Sequence, residues 1–112
     1  MNKAIFIGRV VKDPEIRMAD KTDIAKFTIA VDRNTKEKQT DFINITAFNK
    51  LANICEEHLK KGQLVSIESS VKTGSYEKDG KKIYTTDFIA REIKILIWDV
   101  KNKGEEIYDE EE

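Results

Sequence analysis

The sequence predicts an all-β fold: five strands rolled into a small Greek-key barrel, with one α-helix between the third and fourth strands. Three observations carry that expectation. Apolar residues form strand-length runs or alternate with polar ones in five separate stretches, and only residues 49–61 switch to helical spacing. The punctuation is sparse, with five Gly and one Pro, so boundaries are easy to place. A length of 112 residues suits one compact domain with a short appendage and not two domains.

Residues 3–11, Lys-Ala-Ile-Phe-Ile-Gly-Arg-Val-Val, form an apolar run of strand length. Gly8 inside it suggests the bulge or tight coil that small barrels need, and Asp13-Pro14 ends the run. From Ile24 to Val31 the pattern alternates, with Phe27, Ile29 and Val31 on one face and Lys26, Thr28 and Ala30 on the other, as in a half-buried antiparallel strand. Residues 32–41 are polar and read as a hairpin loop, from which Asp41 to Phe48 returns as the third strand. Leu51, Ile54, Cys55 and Leu59 then fall at helical spacing, with Asn49 suited to cap the start and Gly62 to stop the end. Glu56 and Glu57 precede Lys60 and Lys61 by four residues, which supports the outer face of that helix. His58 beside the stripe reads as a half-buried structural residue, and Cys55 as a small core residue. Gln63 to Lys72 is the fourth strand with Val65, Ile67 and Val71 inward, Lys78-Asp-Gly-Lys81 is a hairpin turn, and Ile83 to Ile97 is the last strand. Three strands, a helix and two strands is the layout of an OB-fold, whereas a doubly wound α/β fold would need several crossover helices.

Hydrophobic residues make up 39% and charged residues 37% of the chain, a lean composition that its periodicity still separates from disorder. No apolar run approaches the ~20 residues of a membrane span, and Met-Asn-Lys-Ala-Ile at the start lacks a signal-peptide hydrophobic region. One Cys cannot form an internal disulfide, and one Cys with one His makes no zinc site. The expectation is a soluble, cytoplasmic protein without cofactor or metal. The net charge of −1 conceals a division. Residues 99–112 hold seven acidic and two basic side chains, a net of −5, and residues 1–98 carry a net of +4. The expected organisation is therefore a domain over 1–98 followed by a short acidic, disordered tail over 99–112, which either competes with phosphate for a basic groove or merely solvates the terminus.

Catalytic motifs are missing: the sequence holds no Gly-x-Ser-x-Gly, P-loop or His-Glu-x-x-His, and Cys55 and His58 could pair only across one helical turn on a stripe the core needs. The third strand is more informative. Its odd positions Ile43, Ile45 and Ala47 form a core face, which leaves Phe42, Asn44, Thr46 and Phe48 on the opposite side. Outward aromatics flanked by lysines make a base-stacking platform for a single-stranded nucleic acid; the competing reading is that they pack against a partner subunit or under a loop. Tyr76, among Lys72, Lys78, Lys81 and Lys82, adds a third stacking group, and Arg33, Lys36 and Lys38 in the long hairpin loop could close from the other side. Lys3 and Lys50 complete the expected cationic set.

At these residues the sequence resembles the bacterial single-stranded DNA-binding proteins of replication and repair, over roughly residues 2–97. Residues 2–17 (Asn-Lys-Ala-Ile-Phe-Ile-Gly-Arg-Val-Val-Lys-Asp-Pro-Glu-Ile-Arg) resemble the family's first strand, Phe27-Thr-Ile-Ala-Val31 its second, and residues 41–53 its third strand running into the helix. Lys61-Gly62, Ser75-Tyr-Glu-Lys-Asp-Gly80 and Tyr84-Thr-Thr86 follow in order. The resemblance implies an OB-fold, a homotetramer (or a dimer) assembled through first-strand pairing, and cooperative, largely sequence-independent, non-catalytic binding of single-stranded DNA during replication, recombination and repair in a nucleoid-associated setting. Phe42, Phe48 and Tyr76 match the family's base-stacking aromatics. There are departures. The loop from Asp32 to Thr40 is shorter than usual, and Ser70 and Gly74 stand where many relatives carry Arg, so fewer phosphate contacts are expected. The family's tail usually ends Asp-Ile-Pro-Phe, whereas this sequence ends Ile107-Tyr-Asp-Glu-Glu-Glu112, which puts recruitment of replication and repair proteins in doubt. The alternative is a primosomal-type relative that binds single strands but acts mainly as an adaptor between proteins.

Overall fold

The computed structural model describes residues 1–98; the expected acidic tail, 99–112, lies outside the described residues. Six strands and one helix follow in order: β1 (Ala4–Val10), β2 (Glu15–Ala19), β3 (Thr22–Asp32), β4 (Thr40–Phe48), α1 (Lys50–His58), β5 (Leu64–Lys78) and β6 (Lys81–Ile97). The sheet runs β1-β5-β6-β4-β3-β2, and a further pairing of β1 with β3 closes five of these strands into a ring. This is the expected OB-fold barrel with its helix after β4, and one short strand is added at the rim.

That added strand, β2, was not expected beyond Asp13-Pro14. It pairs with the first half of β3, and every one of its residues is exposed, so burial imposes no alternation for a pattern to reveal. Its turn is a two-residue loop at Asp20 and Lys21, both at positive φ, where Asn-Gly or Asp-Gly would have advertised the hairpin. Asp79-Gly80 does advertise one, and both residues adopt positive φ between Lys78 and Lys81.

Ring closure depends on one glycine. β1 pairs with β5 from Ala4 to Arg9, then turns onto β3 through Arg9 and Val10. At the crossing Gly8 lies so near β3 that an added Cβ would stand 2.6 Å from the Ala30 carbonyl oxygen and 3.0 Å from Val31 Cγ2. Inside the ring, Phe27, Ile29, Ile45, Val65 and Ile67 are buried with Ala47 and Ala90. Phe6 meets Phe88 edge to face, with centroids 5.2 Å apart.

The helix closes one end with Ala52, Cys55 and, just past its last turn, Leu59 buried. Its termini differ from expectation. Asn49 holds the N-cap position, but its side chain caps nothing; its positive φ turns the chain, and its amide donates to the Asp23 carbonyl at 2.8 Å. At the other end Gly62 lies beyond the helix, at φ 93, and donates its amide to Val10. The capping falls to buried Gln63, whose Oε1 accepts from the Lys60 amide at 2.9 Å and whose Nε2 donates to the His58 carbonyl at 3.0 Å. His58 is exposed rather than half-buried, lying edge-on to Trp98 with ring centroids 5.4 Å apart. β5 runs well past the expected Lys72, because from there onward its residues and their β6 partners form a hairpin arm with no buried residue.

Gly8→Ala should lower stability by about 1–3 kcal/mol, the range for forcing a methyl group into a packed contact. Urea unfolding checks it: a reduced midpoint at unchanged slope is expected, and an unchanged midpoint would mean that β1 and β3 part without loss.

Candidate nucleic-acid interface

β4 divides its side chains as the alternation requires. Ile45 and Ala47 are buried and Ile43 packs against the core, whereas Phe42 and Phe48 face out with 64% and 39% exposure. They share a face six residues apart, about 20 Å along the strand, and so stand as two separate exposed rings. Between them Thr28 Oγ1 donates to Asn44 Oδ1 at 2.7 Å, tying the outer faces of β3 and β4.

Register extends this face sideways, because residues directly opposite across a ladder point the same way. Phe48 lies opposite Ile24 and Ile24 opposite Arg17; Thr46 lies opposite Lys26 on one side and Ile89 on the other, and Ile89 opposite Ser70. Lys72, Gly74, Tyr76 and Lys78 continue the same face along the β5 arm, opposite Asp87, Thr85, Ile83 and Lys81. Tyr76 is 52% exposed there. The structure therefore places Phe42, Phe48 and Tyr76 on one continuous outer surface, with Lys78 next to Tyr76 on that face and Lys72 nearer Phe48.

Not every expected cation joins them. Lys82 lies opposite Glu77, on the reverse of the arm, where its ammonium covers the exposed Tyr84 ring at 5.7 Å. Lys3 sits by the β1 edge and pairs with Glu68 at 3.2 Å. Arg33 is held within its own hairpin: its Nε and Nη2 donate to the two Asp41 oxygens at 2.9 and 2.8 Å, and its Nη1 donates to Gln39 Oε1. That hydrogen bonding holds the Asp41 carboxyl below its ordinary range and raises the Arg33 guanidinium further. Lys36 and Lys38 lie exposed in the same loop, and Lys50 opens α1 just after Phe48.

The groove beside Phe48 collects cations that pattern reading passed over. Arg17, Lys26 and Arg91 line it together with Lys72, Thr46 and Asp87. Lys26 could have been found from its outward position on an alternating strand. Arg17 lies on β2, which had no periodic signal. Arg91 depends on a break in alternation, since Ala90 and Ile93 turn inward with two exposed residues between them.

Cys55 and His58 do not form a reactive pair. Cys55 is buried and its thiol is pushed up to about 11 by that burial, while His58 faces outward. Among the described residues no cluster of three His, Cys, Asp or Glu side chains is arranged to hold a metal ion, and no helix is long and apolar enough to cross a membrane.

Comparison with known proteins shows what the chain as a whole is similar to. The sequence model of the single-strand binding protein family matches residues 1–96. The single-stranded DNA-binding protein of Clostridium perfringens is 39% identical over 99 residues, covering 86% of this chain and 66% of that one. Single-stranded DNA-binding protein 2 of Clostridium acetobutylicum is 40% identical over 104 residues, covering 88% and 78%. Among solved structures, the mitochondrial single-stranded DNA-binding protein Rim1 of S. cerevisiae superposes with a TM-score of 0.73 at 28% identity, covering 85% of this chain and 94% of that one.

The Arg33–Asp41 latch carries a pH signature. Because the folded Asp41 value is depressed, its contribution is fully present above the usual aspartate value of 3.8 and is lost as pH falls through the lower folded value. The Arg33 Nε–H resonance should stay protected from exchange down to that range and lose protection below it. Asp41→Asn should lack the protection already at neutral pH; equal protection in both would mean that the loop is held by other contacts.

Proposed function

The chain belongs to the single-strand binding protein family, and on that premise we propose that it binds single-stranded DNA without catalysing a reaction on it, coating strands exposed in replication, recombination and repair. The observation that carries the reading is the exposure of Phe42, Phe48 and Tyr76 on one face of a barrel small enough to need its large apolar residues inside. Each ring offers a flat surface to any base, and in this reading the exposed Lys36, Lys38, Lys50, Lys72 and Lys78 supply the charge that meets the backbone. Duplex is rejected because its bases are already stacked on one another. Binding is largely indifferent to sequence, since every base has a π-face and the cations meet only phosphate.

The working form is an oligomer, a homotetramer or a dimer. Ile5 and Ile7 stand 65% and 56% exposed on β1, and from Ala4 to Gly8 that strand is paired only with β5. A free apolar strand edge of this kind is covered by a second copy or becomes an aggregation hazard. Light scattering at micromolar concentration should give a multiple of the chain mass, and Ile5→Glu with Ile7→Glu should reduce it; a native monomer would overturn the assembly.

Phe48→Ala should weaken binding to dT oligonucleotides by about 1–3 kcal/mol, the cost known for losing one base–aromatic stack in single-strand-binding proteins generally, and equally for other base compositions. Trp98 gives an internal control. It lies edge-on to His58 at the end of β6, away from the stacking face, so single strands should quench its emission weakly. Phe42→Trp or Tyr76→Trp should bring strong quenching with affinity retained. Strong quenching of native Trp98, with affinity unaltered in Phe42→Ala and Phe48→Ala, would move the DNA path to another face.

A further inference from the structure

The ladder between β5 and β6 breaks register at one point on the stacking face. Ser69 lies opposite Ala90 and Glu68 opposite Glu92, so Arg91 has no partner and forms a β-bulge. Without it, regular alternation would send Glu92 inward; with it, Arg91 and Glu92 are both exposed. The extra residue aims the Arg91 guanidinium across the strand, where Nε donates to Ser70 Oγ at 3.0 Å. That bond uses one of five N–H donors and leaves the fork of the guanidinium free for an anion.

Around this fork the groove brings Arg17, Lys26 and Lys72 together with the Phe48 ring. They come from four different strands, β2, β3, β5 and β6, and register alone assembles them. Two carboxylates adjoin, Asp87 in the groove and Glu15 at its edge beside Arg17 and Lys26. Among the described residues none of the four cations is within ion-pair distance of a carboxylate, in contrast to Arg33 and Lys3. Four cations beside an exposed aromatic ring match a ligand that offers negative charge and a flat face together. A nucleotide does so, and a single strand repeats the pair at every residue, a phosphate beside each flat base.

We infer that the groove beside Phe48 is a phosphodiester-binding site in which the bulge-delivered Arg91, held by Ser70, clamps the backbone next to the base stacked on Phe48. The inference rests on the proposed single-strand binding and adds to it a specific contact. It also gives Ser70 a role: a small hydroxyl at that position lets a guanidinium from the neighbouring strand lie over it.

The test uses the full chain and a dT oligonucleotide, with affinity read by fluorescence anisotropy across a salt series. Arg91→Gln should reduce the log–log salt slope by about 0.7, so that its deficit relative to native protein shrinks roughly fivefold over a tenfold rise in salt. Arg91→Lys should keep the native slope, because charge is retained. Lys60→Gln, which removes the same charge next to α1, should leave the slope as it is. Melting temperature should be unchanged in all three, since each side chain is exposed. A native slope in Arg91→Gln, or an equal fall in Arg91→Gln and Lys60→Gln, would overturn the site while single-strand binding stands. Failure of the native protein to bind the oligonucleotide would instead overturn the proposed function, and the site with it.

Discussion

Every assignment of inside and outside in this chain depends on β1 approaching β3 more closely than any side chain permits. The Ala30 carbonyl oxygen stands 2.6 Å from where a Cβ of residue 8 would be, and glycine leaves that space open. Because of it, one short strand pairs with β5 through its first half and with β3 through Arg9 and Val10. Five strands then close into a ring, and apolar alternation sends one face of each strand into it. With Phe27, Ile29, Ile45, Val65 and Ile67 directed into the ring, the even positions of β4 have no route inward. The exposure of Phe42 and Phe48 is thus a consequence of closure and not a fault in packing.

This dependence explains how far the sequence could be read. Strands that bury one face record it as alternation, so β3, β4 and the first half of β5 were legible, along with the two outward aromatics. What burial does not constrain left no record. β2 buries nothing, and its Asp20-Lys21 turn adopts positive φ without the glycine that would have marked it. The helix was legible as a stripe, but its ends were not, because capping passes to Gln63, a residue outside the helix. Lys82 shows a subtler failure. It is near Tyr76 in sequence, yet the period of two sends it to the opposite face of the arm. Arg91 was hidden because a bulge is a defect in the very periodicity used to assign faces.

The cations divide into two populations with different physical standing. Arg33 and Lys3 are engaged with Asp41 and Glu68, and a phosphate reaching either must first compete with a carboxylate already in place. Such exposed pairs contribute little stability on their own. The Arg33 fork nonetheless orients the short loop by spanning both Asp41 oxygens and Gln39. Arg17, Lys26, Lys72 and Arg91 line the groove together, and an anion bound there would relieve their mutual repulsion. Charge counting over the whole domain cannot separate these populations; only the registers that decide which strands lie side by side can do so.

The three rings proposed to stack bases differ in how firmly the fold holds them. Phe42 and Phe48 stand on β4, which is paired along β3 on one side and joined to β6 on the other, above a buried layer. Tyr76 stands on an arm that is held only by its two-strand ladder and packs on no core. A two-stranded ribbon is marginal by itself, so in the proposed complex a strand across all three rings would meet two preformed rings and one whose position is set by a hairpin. The bulge at Arg91 sits at the root of that hairpin, where burial on β5 ends with Ser69. Bulges increase local twist, and twist at the root determines where the arm points. One inserted residue therefore does two things at once: it turns a guanidinium into the groove beside Phe48, and it helps aim the arm that carries Tyr76.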